Sequence, residues 1–260
     1  MTCQNLVVAD QDGVRRITVN RPEKLNALDA RTLDELRQAF EAVRDDDSVR
    51  VVVLAGSGEK AFVAGADIGE LATLVAVQAQ AFSRVGQRLL RTLETLPKPV
   101  IARIQGFALG GGLELAMSCH LRIASDKARL GLPEITLGLL PGFGGTQRLL
   151  RLAGRAAALE LCLTGQPVDA ARALALGIVN RVVAADQLDA EVDALAGQLA
   201  RSAPHALAGI LDAVIRGGEC ALDEGLDYET KAFALCCSTE DMREGTRAFL
   251  ERRKPVFSGR

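Results

Sequence analysis

Two glutamates set twenty residues apart, each beside a glycine-rich turn, are the groups in this chain best placed to do chemistry. Glu114 lies in Gly-Phe-Ala-Leu-Gly-Gly-Gly-Leu-Glu-Leu-Ala-Met, three residues after Gly111. Glu134 lies in Gly-Leu-Pro-Glu-Ile-Thr-Leu-Gly-Leu-Leu-Pro-Gly-Phe-Gly-Gly-Thr-Gln-Arg. Three consecutive glycines free backbone N–H groups to face a ligand, and the apolar run behind them reads as helix. That combination stabilises negative charge at a helix N-terminus. A second carboxyl group on an apolar stretch supplies a partner for acid–base work.

Each feature also has a plainer explanation. Gly110, Gly111 and Gly112 fit a tight turn in which backbone packs on backbone, since glycine is the usual residue for awkward dihedrals. Read functionally, the same turn is one half of an oxyanion hole, strongest where charge develops on a carbonyl oxygen. The second donor falls in Ala61-Phe-Val-Ala-Gly-Ala-Asp-Ile68, where small residues at 64, 65 and 66 let a ligand approach the main chain. That segment fits equally an ordinary strand-to-helix loop capped by Asp67. Glu114 and Glu134 each fit a salt-bridged carboxylate, yet charge in so apolar a setting rarely lacks a role. His120 and His205 have no nucleophile partner, and neither Ser57 nor Ser118 has a Gly-x-Ser-x-Gly setting. No P-loop or strand-linked G-x-G-x-x-G occurs, so nucleotide hydrolysis and dinucleotide redox chemistry have no support.

The elements that must position these groups follow from the pattern. Residues 5–20 alternate as a hairpin around Asp12-Gly13. Asp29 caps a helix with Leu33, Leu36, Phe40 and Val43 on one face. Val51-Val-Val-Leu is a buried strand, and 68–96 reads as one long helical stretch ended by Pro97-Lys-Pro99. Strand follows at 100–104, helix at 112–119 and strand at 121–124, an alternation that predicts an α/β class with parallel or mixed pairing. Asp169 caps a helix that Gly177 stops, and 178–183 reads as the last strand. Beyond about 186 only helices are expected, broken at Ser202-Ala-Pro204 and Gly217-Gly218. The division is therefore an α/β core over 1–186 and a helical region over 187–260.

Composition narrows the class. The chain has 260 residues, 48% hydrophobic but only 3% aromatic and without Trp, so the core is aliphatic. A net charge of −2 argues against a nucleic-acid surface. No apolar run has the length of a membrane span, and the N-terminus has no basic-then-apolar signal pattern. Six scattered cysteines without metal spacing read as reduced thiols of a cytoplasmic protein. The basic Glu251-Arg-Arg-Lys-Pro segment is either solvated or grips a phosphate-bearing ligand.

At these motifs the chain resembles the enoyl-CoA hydratase/isomerase (crotonase) superfamily, and within it the enoyl-CoA hydratases. The resemblance runs nearly end to end, through Arg21-Pro-Glu-Lys-Leu-Asn-Ala-Leu, Ala64-Gly-Ala-Asp-Ile, Ala108-Leu-Gly-Gly-Gly-Leu-Glu-Leu-Ala, Pro141-Gly-Phe-Gly-Gly-Thr-Gln-Arg-Leu and the Arg-Arg-Lys-Pro tail, in family order. It implies a spiral of ββα turns with a C-terminal helical trimerisation region, assembled as a homotrimer or a hexamer built from two trimers. It implies that Ala66 and Gly111 supply the oxyanion N–H groups and that Glu114 and Glu134 are the catalytic carboxyls. Ala64, Asp67, Ile68 and Gly110 would border the CoA thioester substrate, and Gly142 the catalytic water. The implied reaction adds water across the 2,3 double bond of a 2-enoyl-CoA, as in β-oxidation of fatty acids. It needs no metal or separate cofactor, coenzyme A being part of the substrate, and neither nucleic acid nor membrane is an expected partner. The chain departs from the family at Gly69, where hydratases often carry a CoA-holding lysine, and at His120, where an aspartate usually ends the helix. Members that isomerise often lack one of the two glutamates, so hydration is favoured over a double-bond isomerase. A branched-chain (methylglutaconyl-type) hydratase and a non-catalytic RNA-binding or scaffold member are the other readings.

Overall fold

The computed structural model describes residues 3–260. It opens with the expected hairpin, β1 (Leu6–Gln11) and β2 (Val14–Val19), paired antiparallel from Leu6 opposite Val19 to Gln11 opposite Val14. Asp12 at φ 50° and Gly13 at φ 79° supply the left-handed pair that a two-residue hairpin turn needs. Helix α1 (Ala30–Arg44) follows, and the Asp29 carboxylate accepts from Thr32 N–H at 2.7 Å as its cap.

Three turns of strand, strand and helix then repeat. The first is β3 (Val51–Gly56), β4 (Ala61–Val63) and the helices α2 (Ile68–Leu71) and α3 (Ala76–Glu94). The second is β5 (Val100–Ile104), β6 (Phe107–Leu109) and α4 (Gly111–Ser118). The third is β7 (Leu121–Ser125), β8 (Arg129–Gly131), a 3-10 turn at Pro133–Leu137 and α5 (Gly145–Thr164), which breaks at Gly154, φ 79° and ψ 170°. After β9 (Val168–Asp169), α6 (Ala170–Ala175) and β10 (Arg181–Val183), the chain is helical: α7 (Leu188–Ala200), α8 (Pro204–Gly217), α9 (Leu222–Cys237) and α10 (Glu240–Leu250).

The first strand of each turn joins one sheet and the second joins another. The larger sheet runs β1-β2-β3-β5-β7-β10, parallel after the hairpin. The smaller runs β4-β6-β8-β9, with only β8 and β9 antiparallel. This is the α/β spiral that the family likeness implied. The main core lies on one face of the larger sheet and includes Phe40, Phe62, Leu89, Leu93, Ile104 and Leu113. The other face, from Val51, Val53, Ile101 and Ile123, is covered by Leu188, Val192 and Leu195 of α7. Both faces are dry, so β3 reads as an uninterrupted apolar run rather than an alternation.

Two boundaries differ from the sequence reading. The 68–96 stretch is two helices, separated at residues 72–75, because Asp67 caps a short α2 while α3 starts afresh after Val75. The last strand is only Arg181–Val183: Ile178 and Val179 are core residues of a loop, and Asn180 N–H reaches Arg122 O. The smaller sheet was invisible to the periodicity argument, since its strands are two or three residues long.

Candidate active site

The two halves of the suspected oxyanion hole are built on consecutive turns of the spiral, where β4 and β6 end side by side. Two of the three glycines, Gly112 and Gly110, have separate steric reasons. A β-carbon on Gly112 would stand 1.9 Å from the Val63 carbonyl oxygen, so α4 starts directly against the end of β4. Gly110 has φ +52°, which disfavours any side chain, and a β-carbon there would lie 2.9 Å from Glu134 Oε1. A β-carbon on Gly111 would meet only ordinary contacts, 3.4 Å from the Phe143 ring and 3.5 Å from Ala66 N, which places Gly111 beside Ala66. Tight packing and an open helix N-terminus are thus the same construction. Among the described residues neither Ala66 N–H nor Gly111 N–H has an acceptor. Both remain available to a ligand oxygen, with the dipole of α4 behind Gly111.

The Ala66 half is held by the Arg21-Pro-Glu-Lys-Leu-Asn-Ala-Leu segment. Ala64 N–H donates to Leu25 O at 3.0 Å, Leu28 N–H to Gly65 O at 2.8 Å and Asp67 N–H to Leu28 O at 2.8 Å. Leu25 and Asn26 pay for this turn with φ of 51° and 61°. Asn26 is fully buried; its Oδ1 accepts from Arg21 N–H, and its Nδ2 donates to Ser57 O and Ala61 O. Arg21 then pairs with Asp29 at 3.1 Å and Asp67 at 3.2 Å. Burial opposes ionisation of Asp67, but Arg21 and the Gly69 N–H outweigh it and hold the carboxyl below its usual range. The Asp67 carboxylate is therefore engaged within the protein, while the neighbouring Ile68 side chain is exposed. At Gly69, where a lysine was expected from the likeness, the N–H completes the Asp67 cap.

Glu114 is 1% exposed, on the first turn of α4. Its Oε1 accepts from Phe143 N–H at 2.8 Å and Gly145 N–H at 2.6 Å. Gly145 must be glycine, because a β-carbon there would lie 2.9 Å from both Glu114 Cγ and Oε1. Burial, and then the nearby Glu134, push the Glu114 carboxyl up to about 7, against the pull of the two N–H bonds and Arg148. Glu134 is half-buried on the 3-10 turn, and its Oε2 is buried without a hydrogen-bond partner among the described residues. Burial raises its carboxyl as well. Two desolvated carboxyls that feel each other favour holding one proton between them. The two N–H bonds ease the negative charge on Glu114 without overcoming its burial, and the unpartnered oxygen of Glu134 likewise favours that carboxyl's neutral form. The arrangement can therefore take a proton at one carboxyl and give one at the other, beside N–H donors suited to an oxyanion.

Gly142 carries no internal load on its α-carbon: a β-carbon would meet open space. Its carbonyl accepts from Ser83 Oγ at 2.6 Å and Gln87 Nε2 at 3.1 Å, which fixes the loop to α3. His120 does structural work: Val100 N–H donates to its Nδ1 at 2.9 Å, and its Nε2 lies 3.1 Å from Glu94 O. In the basic tail, Arg253 is paired with Glu244 and Glu251. Sequence reasoning placed Arg21, Asn26, Phe143 and Arg148 in the family motifs without giving them a supporting role, and it missed Gly86 and Glu94. For Gly86 the available signal was a glycine in mid-helix with no turn to explain it.

Comparisons with known proteins bear on the family and the fold. The sequence profile described as enoyl-CoA hydratase/isomerase matches residues 9–260. A short-chain-enoyl-CoA hydratase of Clostridium acetobutylicum is 44% identical over 254 residues, covering 98% of this chain and 97% of that protein. A crotonyl-CoA hydratase of Syntrophomonas wolfei is 42% identical over 257 residues, covering 99% of each. The crystal structure of an enoyl-CoA hydratase from Bacillus anthracis superposes with a TM-score of 0.96 at 39% identity, covering 99% of this chain and 100% of that one. With the profile spanning the motifs and the spiral reproduced throughout, the chain belongs to the enoyl-CoA hydratase/isomerase family.

Proposed function

We propose that this protein is an enoyl-CoA hydratase that adds water across the 2,3 double bond of a short 2-enoyl-CoA to give the 3-hydroxyacyl-CoA. The observation that carries the reading is the pairing of two desolvated carboxyls, Glu114 and Glu134, next to the free N–H groups of Ala66 and Gly111. In this mechanism the thioester carbonyl accepts from Ala66 and Gly111, which polarises the conjugated double bond. Glu114, as carboxylate, orients a water and takes its proton as oxygen attacks C3. Negative charge moves to the thioester oxygen, where the two N–H groups and the α4 dipole stabilise it. Glu134, as carboxylic acid, gives its proton to C2. The water's proton ends on Glu114 and the proton on C2 comes from Glu134, so one proton transfer between the carboxyls, or through solvent, resets the pair.

Two carboxyls favour hydration over double-bond isomerisation, which needs one group to carry a proton between carbons. The names of the relatives in Clostridium and Syntrophomonas support a short acyl chain. A trimer or a pair of trimers is in keeping with Ile210, Val214, Phe233 and Leu235 of α8 and α9, which are all more than half exposed in the single chain. Six free cysteines suit a cytoplasmic setting. No helix among the described residues is long and apolar enough to cross a membrane. The test is turnover of crotonyl-CoA, longer 2-enoyl-CoAs, branched 2-enoyl-CoAs and 3-enoyl-CoAs by the same preparation. Fastest hydration of crotonyl-CoA is expected; faster isomerisation of a 3-enoyl-CoA would overturn the reading.

A further inference from the structure

Phe143 is held at both ends by opposite charges. Its N–H donates to Glu114, and its carbonyl accepts from Arg148 Nη1 at 2.6 Å. The turn in between is tight: Gly144 has φ +98°, and a β-carbon there would stand 2.5 Å from Arg148 Nη1. Arg148 also donates through Nε and Nη2 to the two oxygens of Glu94, at 2.5 and 3.2 Å. Both side chains are largely buried, at 14% and 20% exposure. A forked guanidinium can serve a carboxylate and a carbonyl together, which a lysine cannot. The anchor is itself fixed, because Glu94 is the last residue of α3 and its carbonyl meets His120 Nε2.

We propose that Arg148 is a positioning residue for Glu114: clamped by Glu94, it holds the Phe143–Gly145 turn so that two N–H groups meet one carboxylate oxygen. Neither Arg148 nor Glu94 touches the reacting atoms in this scheme. Their effect reaches the base through the Phe143 and Gly145 N–H groups and through the charge of the guanidinium. The plainer alternative is an ion pair that only ties α5 to α3. That alternative lowers stability when broken but leaves the ionisation of Glu114 alone. The charged and titratable groups around the base are few. Glu134 faces it from the 3-10 turn, and Arg148 and Cys162 lie on α5. Around the clamp, Arg91 of α3 shares Glu94 and pairs with Glu219.

The inference rests on the hydratase reading, so its test includes a measurement that does not need turnover. In Arg148→Gln the clamp is expected to fail. The kcat for crotonyl-CoA hydration falls about 10- to 100-fold, the scale of a misplaced catalytic group, with little change in KM. Removing a cation and loosening two N–H bonds both disfavour the Glu114 anion, so the acid limb of the kcat profile moves to higher pH. An infrared difference titration of the Glu114 carboxyl, assigned with Glu114→Gln, moves in the same direction. Arg148→Lys keeps the charge but not the fork; its acid limb moves less than that of Arg148→Gln, while kcat remains several-fold low. If Arg148→Gln does not fold, Arg148→Lys carries the test, and native kcat in that variant overturns the clamp. Unchanged titration and unchanged acid limb in a folded Arg148→Gln also overturn it. A native protein that fails to hydrate, with the titration still shifted in Arg148→Gln, removes the hydratase reading and leaves the clamp standing.

Discussion

Gly86 lies so close under Phe143 that a β-carbon on the glycine would stand 2.2 Å from the ring. Phe143 in turn packs on Phe82, ring centroids 5.2 Å apart and tilted by 49°, and donates its N–H to Glu114. A glycine in mid-helix, ordinarily a cost of about 1 kcal/mol relative to alanine, is explained here by the space it leaves. Gly86→Ala should therefore lower stability, by about 1–3 kcal/mol as overpacking does, in place of the gain that helix propensity alone would give. Turnover should fall as well, since the displaced ring carries a ligand of Glu114. Thermal unfolding and kcat check this; a Gly86→Ala protein more stable than the native one contradicts the packing argument.

Gly111 is the first residue of α4, a position where proline is tolerated because its N–H has no helical acceptor. Its added β-carbon would meet only ordinary contacts, at 3.4 Å from Phe143 and 3.5 Å from Ala66 N. A folded Gly111→Pro protein should lose one oxyanion donor. The expected loss is about 2.7–4 kcal/mol of transition-state stabilisation, roughly 10²–10³ in kcat. Circular dichroism and kinetics on one preparation test it; a folded variant with near-native turnover removes Gly111 from the hole.

Glu114 makes stability depend on pH in a definite direction. Its carboxyl is raised from its ordinary 4.5 to about 7, so the folded state keeps the proton that the unfolded chain has released. Below about 4.5 the group contributes no penalty. The cost of ionising it in the fold grows between 4.5 and 7, to about 3 kcal/mol above that range. Glu114→Gln keeps an oxygen for Phe143 and Gly145 N–H but carries no charge. The variant should gain stability relative to the native protein as pH rises from 5 to 8. His120, whose burial lowers its pKa, is common to both proteins and cancels in the comparison. Denaturant midpoints at both pH values decide; a difference that does not change with pH contradicts the assigned burial cost.

What the sequence disclosed was uneven, for physical reasons. The hairpin at Asp12-Gly13, the Asp29 cap and the strand at Val51 carry local signals and were legible without a structure. The glutamates and glycines of the site were legible because charge and glycine are conspicuous in apolar segments. The small sheet was not, because strands of three residues hold no periodicity. The supports were hidden for a different reason. Arg21 meets Asp67 and Arg148 meets Glu94 only because the spiral stacks its turns, at separations of 46 and 54 residues. Asn26 looks like any turn residue until its buried bonds to Ser57 O and Ala61 O are seen.

The central claim is that two carboxyls divide the proton work, with Glu114 on the water and Glu134 on C2. The most direct measurement is the crotonyl-CoA hydration rate of Glu114→Gln, Glu134→Gln and the double variant. Each single change should lower kcat by about 10²-fold or more, the scale of a positioned acid or base. Binding of a saturated acyl-CoA should change little. The double variant should lose less than the product of the two singles, because both groups act on one substrate and one water. Native hydration by Glu134→Gln, with none by Glu114→Gln, would contradict the account and leave a single-base chemistry in its place.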